Sequence, residues 1–365
     1  MPKQIVVLGG NFAAVAAVRE ASKIDKDAQF TVICPSTHGY YNISVPRAIV
    51  NADYRPKLLF PLKDTFSKQI SDGRLTLIQG KAVSTDFDSN EVTYVSEGNQ
   101  LVQKYDLLIL ATGTHGSNKA VKLQGSYEES IEAIEQIAAG AETAQKIIVA
   151  GGGPTGVEIA SELKENHADT EVVLYTGSSG PLQAYDRIDS ATAKLTALGV
   201  KLVNHVKINS YEELSDGKTK LVLSNGQTDT ADLYIPAVGL FPNTYYLDSK
   251  YLDTNGYVVA DSNLIVKGTH NVVAFGDVLS GSLNTMMDIL YAQTSVLIST
   301  LSHLLTNAPL SKTYQASNKT TIFVPIGSKS AVGVLFGWSL PNFLATQVKN
   351  KDFLLSKSKE YLESA

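Results

Sequence analysis

The chain has 365 residues, 44% hydrophobic and 18% charged, with a formal net charge of -5. That length suits two or three domains, and the balance is that of an ordinary globular protein. The mild negative charge gives no sign of nucleic-acid binding, and the single cysteine, Cys34, excludes both a disulfide framework and a CxxC redox pair.

The pattern predicts a strand over Gln4–Leu8, reached almost at once, so no leader is expected. No apolar stretch has the length of a membrane span, and the expected location is the cytoplasm. Gly9, Gly10, Asn11, Phe12, Ala13 and Ala14 follow, then a helix with Val15, Val18 and Ala21 on its apolar side. This is a degenerate strand–turn–helix of a dinucleotide site, with Ala14 where a third glycine is usual. The next strand, Phe30–Cys34, runs into Cys34-Pro35-Ser36, where an acid for a ribose is expected; Asp25 and Asp27 come too early. Tyr40–Ala48 is a polar and aromatic loop carrying Arg47, which reads either as a solvated charge or as a pyrophosphate or flavin contact. Leu75–Val83 and Glu91–Val95 read as strands of a small β insert. Tyr105–Leu110 is a strand ending in Ala111, Thr112, Gly113 and Thr114, small residues that let backbone lie close to a ligand.

Ser126–Ala141 reads as a helix, and the most informative stretch follows it, Ile147–Leu163. A short apolar run ends in Gly151, Gly152 and Gly153; Pro154, Thr155 and Gly156 then open a helix with Val157, Ile159, Ala160 and Leu163 on one side. Gly151 allows the tight turn, Gly153 lets a pyrophosphate approach the backbone, and Gly156 lets helix pack on strand. The helix N-terminus offers its unpaired N–H groups to phosphate. The second strand of this unit, Glu171–Tyr175, ends in Thr176, Gly177, Ser178 and Ser179. It offers no acid for a ribose 2′-hydroxyl and no nearby base for a 2′-phosphate, so NADH and NADPH stay equally open.

Further strands are expected at Val200–Val203, Lys220–Leu223, Leu233–Val238, Val258–Ala260 and Asn271–Phe275. The Leu233 strand leads to Gly239, and the Asn271 strand to Gly276 and Asp277. A long helix carries Met286, Leu290, Val296, Leu297 and Leu301; a final β pair, Thr320–Val324 and Ala331–Leu335, precedes an apolar and aromatic tail, Phe336–Leu355, with Lys349 and Lys351. That tail suits either a membrane interface or packing onto the rest of the protein. The six histidines have no metal-ligand spacing, so no metal site is expected.

Two glycine turns, ATGT at Ala111–Thr114 and AFGD at Ala274–Asp277, in that order, resemble the FAD-dependent pyridine nucleotide oxidoreductases. YNISVPRA, Leu58–Phe66 and Ala331–Leu355 are similar to the apoptosis-inducing-factor-like branch that includes ferroptosis suppressor protein and fungal relatives. The resemblance covers nearly the whole chain. It implies that Gly9 to Ala14 form the FAD pyrophosphate loop, that Arg47 contacts FAD, that Ala82 meets the adenine, and that Asp277 holds the ribityl chain. It implies that Gly151 to Gly156 form the NAD(P)H loop, that Glu158 lies near the nicotinamide–flavin stack, and that Lys349 lies near the flavin and helps reduce the acceptor. Ala111, Thr112, Gly113, Gly239 and Gly276 join the cofactor-contact candidates. Read without the resemblance, Glu158 could serve the helix dipole and Lys349 could be a solvated tail lysine. Two departures stand out: the acid after the first β–α unit is absent, and the loop after Asp277 reads VLSGSLNTMMDI rather than a more basic, proline-containing sequence.

The expected fold is α/β, with two Rossmann-like dinucleotide-binding domains. Residues 1–115 and 245–310 would bind FAD, residues 116–244 would interrupt them and bind NADH or NADPH, and residues 311–365 would be a C-terminal α+β segment covering the flavin. The expected function is hydride transfer from NAD(P)H to FAD, then electron transfer to a diffusible acceptor, a quinone or oxygen. The alternatives are a slow redox-sensing signalling protein and a ferredoxin- or rubredoxin-type reductase. Glu158 and Lys349 are the catalytic candidates, expected to act on electron transfer and not on folding. Membrane contact, if any, would be peripheral, and the oligomeric state is open.

Overall fold

The computed structural model describes residues 2–316 and 321–362. Five parallel strands form the first sheet, in the order Val272–Ala274, Leu107–Leu110, Gln4–Leu8, Gln29–Cys34, Leu75–Gln79. Its central strands are unbroken apolar runs, because a parallel sheet is covered on both faces: Ile5 to Leu8 and Leu107 to Leu110 are all buried. Four parallel strands form the second sheet, in the order Lys201–Val203, Glu171–Tyr175, Lys146–Ala150, Leu233–Pro236. The first sheet thus draws strands from both sides of the segment that builds the second.

The same turn is built twice. Gly9 has φ 123° and Gly151 has φ 124°. A Cβ on Gly9 would collide with the carbonyl oxygen of Ala111, and one on Gly151 with that of Ala237. Each of those carbonyls lies just beyond the neighbouring strand of its sheet, Leu107–Leu110 and Leu233–Pro236. Only glycine meets both the backbone angle and the close approach. A helix starts directly after each turn, Phe12–Ile24 and Pro154–Asn166.

Several elements depart from the expected bounds. The Leu75–Val83 run breaks at Gly80 into Leu75–Gln79 and Lys81–Asp86, because the Gly80 N–H turns to donate to the Cys34 carbonyl. Lys81–Asp86 joins a separate three-stranded antiparallel sheet with Glu91–Ser96 and Asn99–Lys104. Val258–Ala260 makes isolated bridges to three different segments rather than a strand. The long helix begins as a π-turn, Asp288–Gln293, and becomes α-helical over Thr294–Thr306. Thr320 lies outside the described residues; the final β pair is Ile322–Ile326 with Ser330–Leu335, extended by Trp338–Leu340.

Of the Phe336–Leu355 tail, Asn342–Lys349 is helical and packs its Ala345 face onto Gly333, where a Cβ would come within 2.7 Å of the Ala345 Cβ. Two bonds fasten this segment to the first sheet's side of the molecule: the Tyr41 hydroxyl donates to the Leu354 carbonyl at 2.9 Å, and Ser44 Oγ to Phe353 O at 3.0 Å. Among the described residues no helix is long and apolar enough to cross a membrane.

Candidate functional site

A cleft of about 360 Å³ opens at the C-terminal ends of the first sheet, where open α/β sheets place their ligands. Gly9, Gly10, Asn11, Phe12 and Ala13 line it, and Ala14 is fully buried behind them. Ala82, Ala111, Thr112, Gly113 and Asp277 line it as well. Gly276 presses against the loop, since a Cβ there would come within 2.7 Å of the Ala13 Cβ. Candidates from four separate stretches therefore meet in one place. Asn243 ties two of the turns together: its Nδ2 donates to Thr112 O at 2.8 Å, and its Oδ1 lies 2.7 Å from His115 Nδ1.

The cleft fits a flavin dinucleotide. Asp277 Oδ1 is buried and has no hydrogen-bond partner among the described residues, while Oδ2 accepts from Lys122 Nζ at 2.5 Å. An orphaned carboxylate oxygen facing a ligand cleft is an acceptor waiting for hydroxyl donors, which a ribityl chain supplies. A Cβ on Gly113 would meet nothing within 4 Å, so that backbone is open to a ligand. Ser36 and Lys81 line the cleft as well, beside the strand end where the sequence lacks an acid. Ser36 Oγ already donates to His38 O at 2.7 Å, and the Lys81 ammonium sits 4.4 Å from the centre of the Tyr245 ring.

Cys34 is not a redox thiol. It is buried under the Gly10 turn, and burial pushes its pKa up to about 12, which leaves it without thiolate at neutral pH.

The second turn fits a second dinucleotide. Gly153 is open, with nothing within 4 Å of a Cβ, which is the room a pyrophosphate needs. Gly156 is closed: a Cβ would collide with Gly151 O, so it serves helix packing. Pro154 and Thr155 form the first turn of the helix. Gly239 stands apart from the cleft, with φ 75° and the Phe241 ring where a Cβ would be.

Three candidates take up unexpected surroundings. Arg47 lies outside the cleft. Its Nε donates to Glu162 Oε2 at 2.6 Å and its Nη2 to Glu162 Oε1 at 3.0 Å, a bidentate pair with the NAD(P)H-side helix. Glu158, on the same helix one turn earlier, accepts from Lys349 Nζ at 2.5 Å. Arg47 and Lys349 both stand over the Phe353 ring, at 5.0 and 5.4 Å. Burial raises the pKa of both glutamates above the usual carboxylate range, and their cations oppose that rise. Glu158 is nearly inaccessible and the Lys349 side chain is 12% exposed, so removing one partner strands the buried group of the other.

Lys122 carried no sequence signal, being one lysine in a loop. It bridges Thr114 Oγ1 at 2.6 Å and Asp277 at the floor of the cleft. Gln293 was likewise missed: its Oε1 accepts the Gly276 N–H at 2.8 Å and its Nε2 donates to buried Asp288 at 2.7 Å. The π-turn is what carries that amide to Gly276, and such turns recur at functional sites.

The model for pyridine nucleotide-disulphide oxidoreductases matches residues 3–295. Oxidoreductase ptaL of Pestalotiopsis fici is 30% identical over 363 residues, covering 96% of each chain. Ferroptosis suppressor protein 1 of Xenopus tropicalis is 26% identical, over 97% of this chain and 94% of that one. Among solved structures, the water-forming NADH oxidase of Lactobacillus brevis bound to NADH superposes with TM-score 0.71 at 16% identity, over 91% of this chain and 74% of that one. The cofactors are FAD and NAD(P)H, and the chain belongs to the pyridine nucleotide-disulphide oxidoreductase family.

Proposed function

We propose that this protein is an NAD(P)H:acceptor oxidoreductase whose acceptor is a diffusible small molecule, most simply a quinone. The observation that carries the acceptor class is Cys34. It is the single cysteine, buried, with its pKa pushed up to about 12, so no thiol relay can take the electrons onward. The choice of quinone over oxygen rests on the resemblance to the ferroptosis suppressor protein branch.

When bound, FAD supplies the hydride and electron chemistry; the chain supplies position and charge. Gly153 leaves room for the nicotinamide dinucleotide's pyrophosphate. Asp277 Oδ1 would accept from the ribityl hydroxyls, and Lys122 fixes that carboxylate through its other oxygen. Glu158 and Lys349 hold a proton between Oε1 and Nζ in a site with little water, where electrostatic effects are strong. Residues 1–115 with 245–310 form the FAD-binding part in this reading, residues 116–244 the NAD(P)H-binding part, and residues 311–365 the cover.

Stopped-flow mixing of the yellow holoenzyme with NAD(P)H, followed by a short-chain benzoquinone or by air-saturated buffer, tests the proposal. Reoxidation many times faster by the quinone than by oxygen is expected. Equal slow reoxidation by both, with a long-lived reduced enzyme, would favour the signalling alternative instead.

A further inference from the structure

We infer that the electron donor is NADPH rather than NADH, and that Lys207 takes its 2′-phosphate. The inference rests on the proposed electron-transfer reading, which places the nicotinamide dinucleotide at Gly151–Gly156.

The argument begins with where the adenosine ribose must lie. The Gly151 N–H donates to Tyr175 O at 2.8 Å, and a Cβ on Gly152 would come within 2.9 Å of the Thr176 Cβ. The segment just past strand Glu171–Tyr175 therefore lies beside the phosphate turn. In such folds that segment reads the ribose: a carboxylate there pairs with a 2′-hydroxyl, and a cation there accommodates a 2′-phosphate.

The segment itself is silent, as the sequence suggested. Thr176 Oγ1 donates to Ser178 O at 3.0 Å, and Gln183 Oε1 accepts from the N–H and the hydroxyl of Ser179 at 2.9 and 2.8 Å. The chain returns to it about thirty residues later. The His205 N–H donates to Ser178 O at 2.6 Å, and a Cβ on Gly177 would lie 3.3 Å from Lys207 Cγ. The lysine stem thus covers Gly177, and its ammonium lies three bonds beyond the Cγ that meets it.

Lys207 is exposed, and among the described residues no carboxylate pairs with it or bonds to residues 176–179. Neighbouring cations are already engaged. Lys201 pairs with Glu171 at 2.9 Å; Arg187 is held by two backbone carbonyls, donating to Asp186 O at 2.7 Å and to Gly337 O at 3.3 Å, which fixes its guanidinium although its Nε has no partner among the described residues. A free ammonium with no acid beside it attracts a phosphate dianion and offers a bare 2′-hydroxyl no acceptor.

The reductive half-reaction of FAD-loaded enzyme decides the matter, since it needs no acceptor. NADPH should bleach the flavin at roughly tenfold lower concentration than NADH, and the gap should narrow as salt rises. Lys207→Ala should weaken NADPH roughly tenfold and leave NADH unchanged, and Lys207→Glu should reverse the preference. Calorimetry gives a readout apart from electron transfer: 2′,5′-ADP should bind the wild type and lose affinity in Lys207→Ala, while 5′-AMP should not distinguish them. Equal use of the two donors by the wild type, or equal loss of both in Lys207→Ala, overturns the inference. Bleaching by neither donor removes the electron-transfer reading, and this inference with it.

Discussion

The carboxylate of Glu158 and the ammonium of Lys349 lie 2.5 Å apart although 191 positions separate them in the chain. The contact joins the helix that follows the NAD(P)H turn to the last turn of the tail helix. Lys349→Ala leaves Glu158 buried without its cation, which costs about 3–5 kcal/mol of stability for pairs of this kind. Lys349→Met keeps the stem's packing and is the better probe. It should retain FAD and slow reoxidation by the acceptor, whereas Glu158→Gln should mainly slow reduction by NAD(P)H. Stopped-flow traces of the two half-reactions, with thermal melts alongside, separate these effects. Unaltered rates in both halves for folded variants would reduce the pair to a structural tie.

Acidity provides an independent view of the same carboxyl. Burial holds Glu158 above its ordinary pKa, so over a window starting near pH 4.3 the folded chain keeps a proton that the unfolded chain releases. Its contribution to stability is thus greatest below that pH and declines as pH rises through the raised value. Glu162, raised by burial against Arg47, has the same sign. Denaturation midpoints of wild type and Glu158→Gln, measured from pH 4 to 8, should therefore lie closest at the low end and separate as pH rises across this window, the wild type losing stability relative to a variant that cannot titrate. Curves that stay parallel would show that the carboxyl titrates normally.

Much of this arrangement was legible in the sequence because it is local. Gly9 and Gly151 announce themselves by standing between an apolar run and a helix, and both prove to carry the backbone angle and close approach that exclude a side chain. Asp277 was legible through its place after a strand end. What the sequence withheld is what the fold assembles from afar. Arg47 reads as a flavin contact by position, yet its partner is Glu162, 115 residues away. Lys122 and Lys207 are lysines in irregular segments, with no pattern to set them apart. The π-turn at Asp288–Gln293 has the apolar spacing of an ordinary helix, and the Gln293–Asp288 bond inside it leaves no trace in that spacing.

Gly153→Val is a clean probe of the second turn. A Cβ there meets nothing within 4 Å, so the branched side chain disturbs only the ligand's room. The variant should fold, remain yellow and fail to bleach with NADPH or NADH at concentrations that saturate the wild type. Normal bleaching would place the nucleotide elsewhere. Gly156→Val, by contrast, should misfold, because its Cβ would strike the Gly151 carbonyl.

Asp277→Ala tests the first site. It removes the unpartnered Oδ1 and also frees Lys122, so Asp277→Asn is needed beside it to keep an acceptor oxygen while removing the charge. FAD affinity, read from the fluorescence of released flavin, should fall at least tenfold in Asp277→Ala and less in Asp277→Asn. The released cofactor should chromatograph as FAD. Undiminished affinity in Asp277→Ala would mean that the orphan oxygen faces no ligand.

The tail's aromatics are expected to reach a membrane surface. Packing onto the protein would have buried them, but Trp338 is 79% exposed, Phe336 65% and Phe343 63%, with Leu344 and Val348 also exposed on the neighbouring helix. Single exposed apolar residues are unremarkable, but five within thirteen positions of one segment are not. Aromatic side chains with flanking cations suit the headgroup boundary, and exposed Lys351 stands just beyond the helix. Trp338 is the chain's single tryptophan, so its emission reports on this segment alone. Vesicles containing anionic lipid should float the holoenzyme and shift that emission to the blue, and high salt should weaken both effects. Phe336→Ser with Phe343→Ser should abolish flotation while FAD stays bound. Absence of both flotation and shift, with sedimentation showing a dimer, would assign these residues to a second copy of the chain.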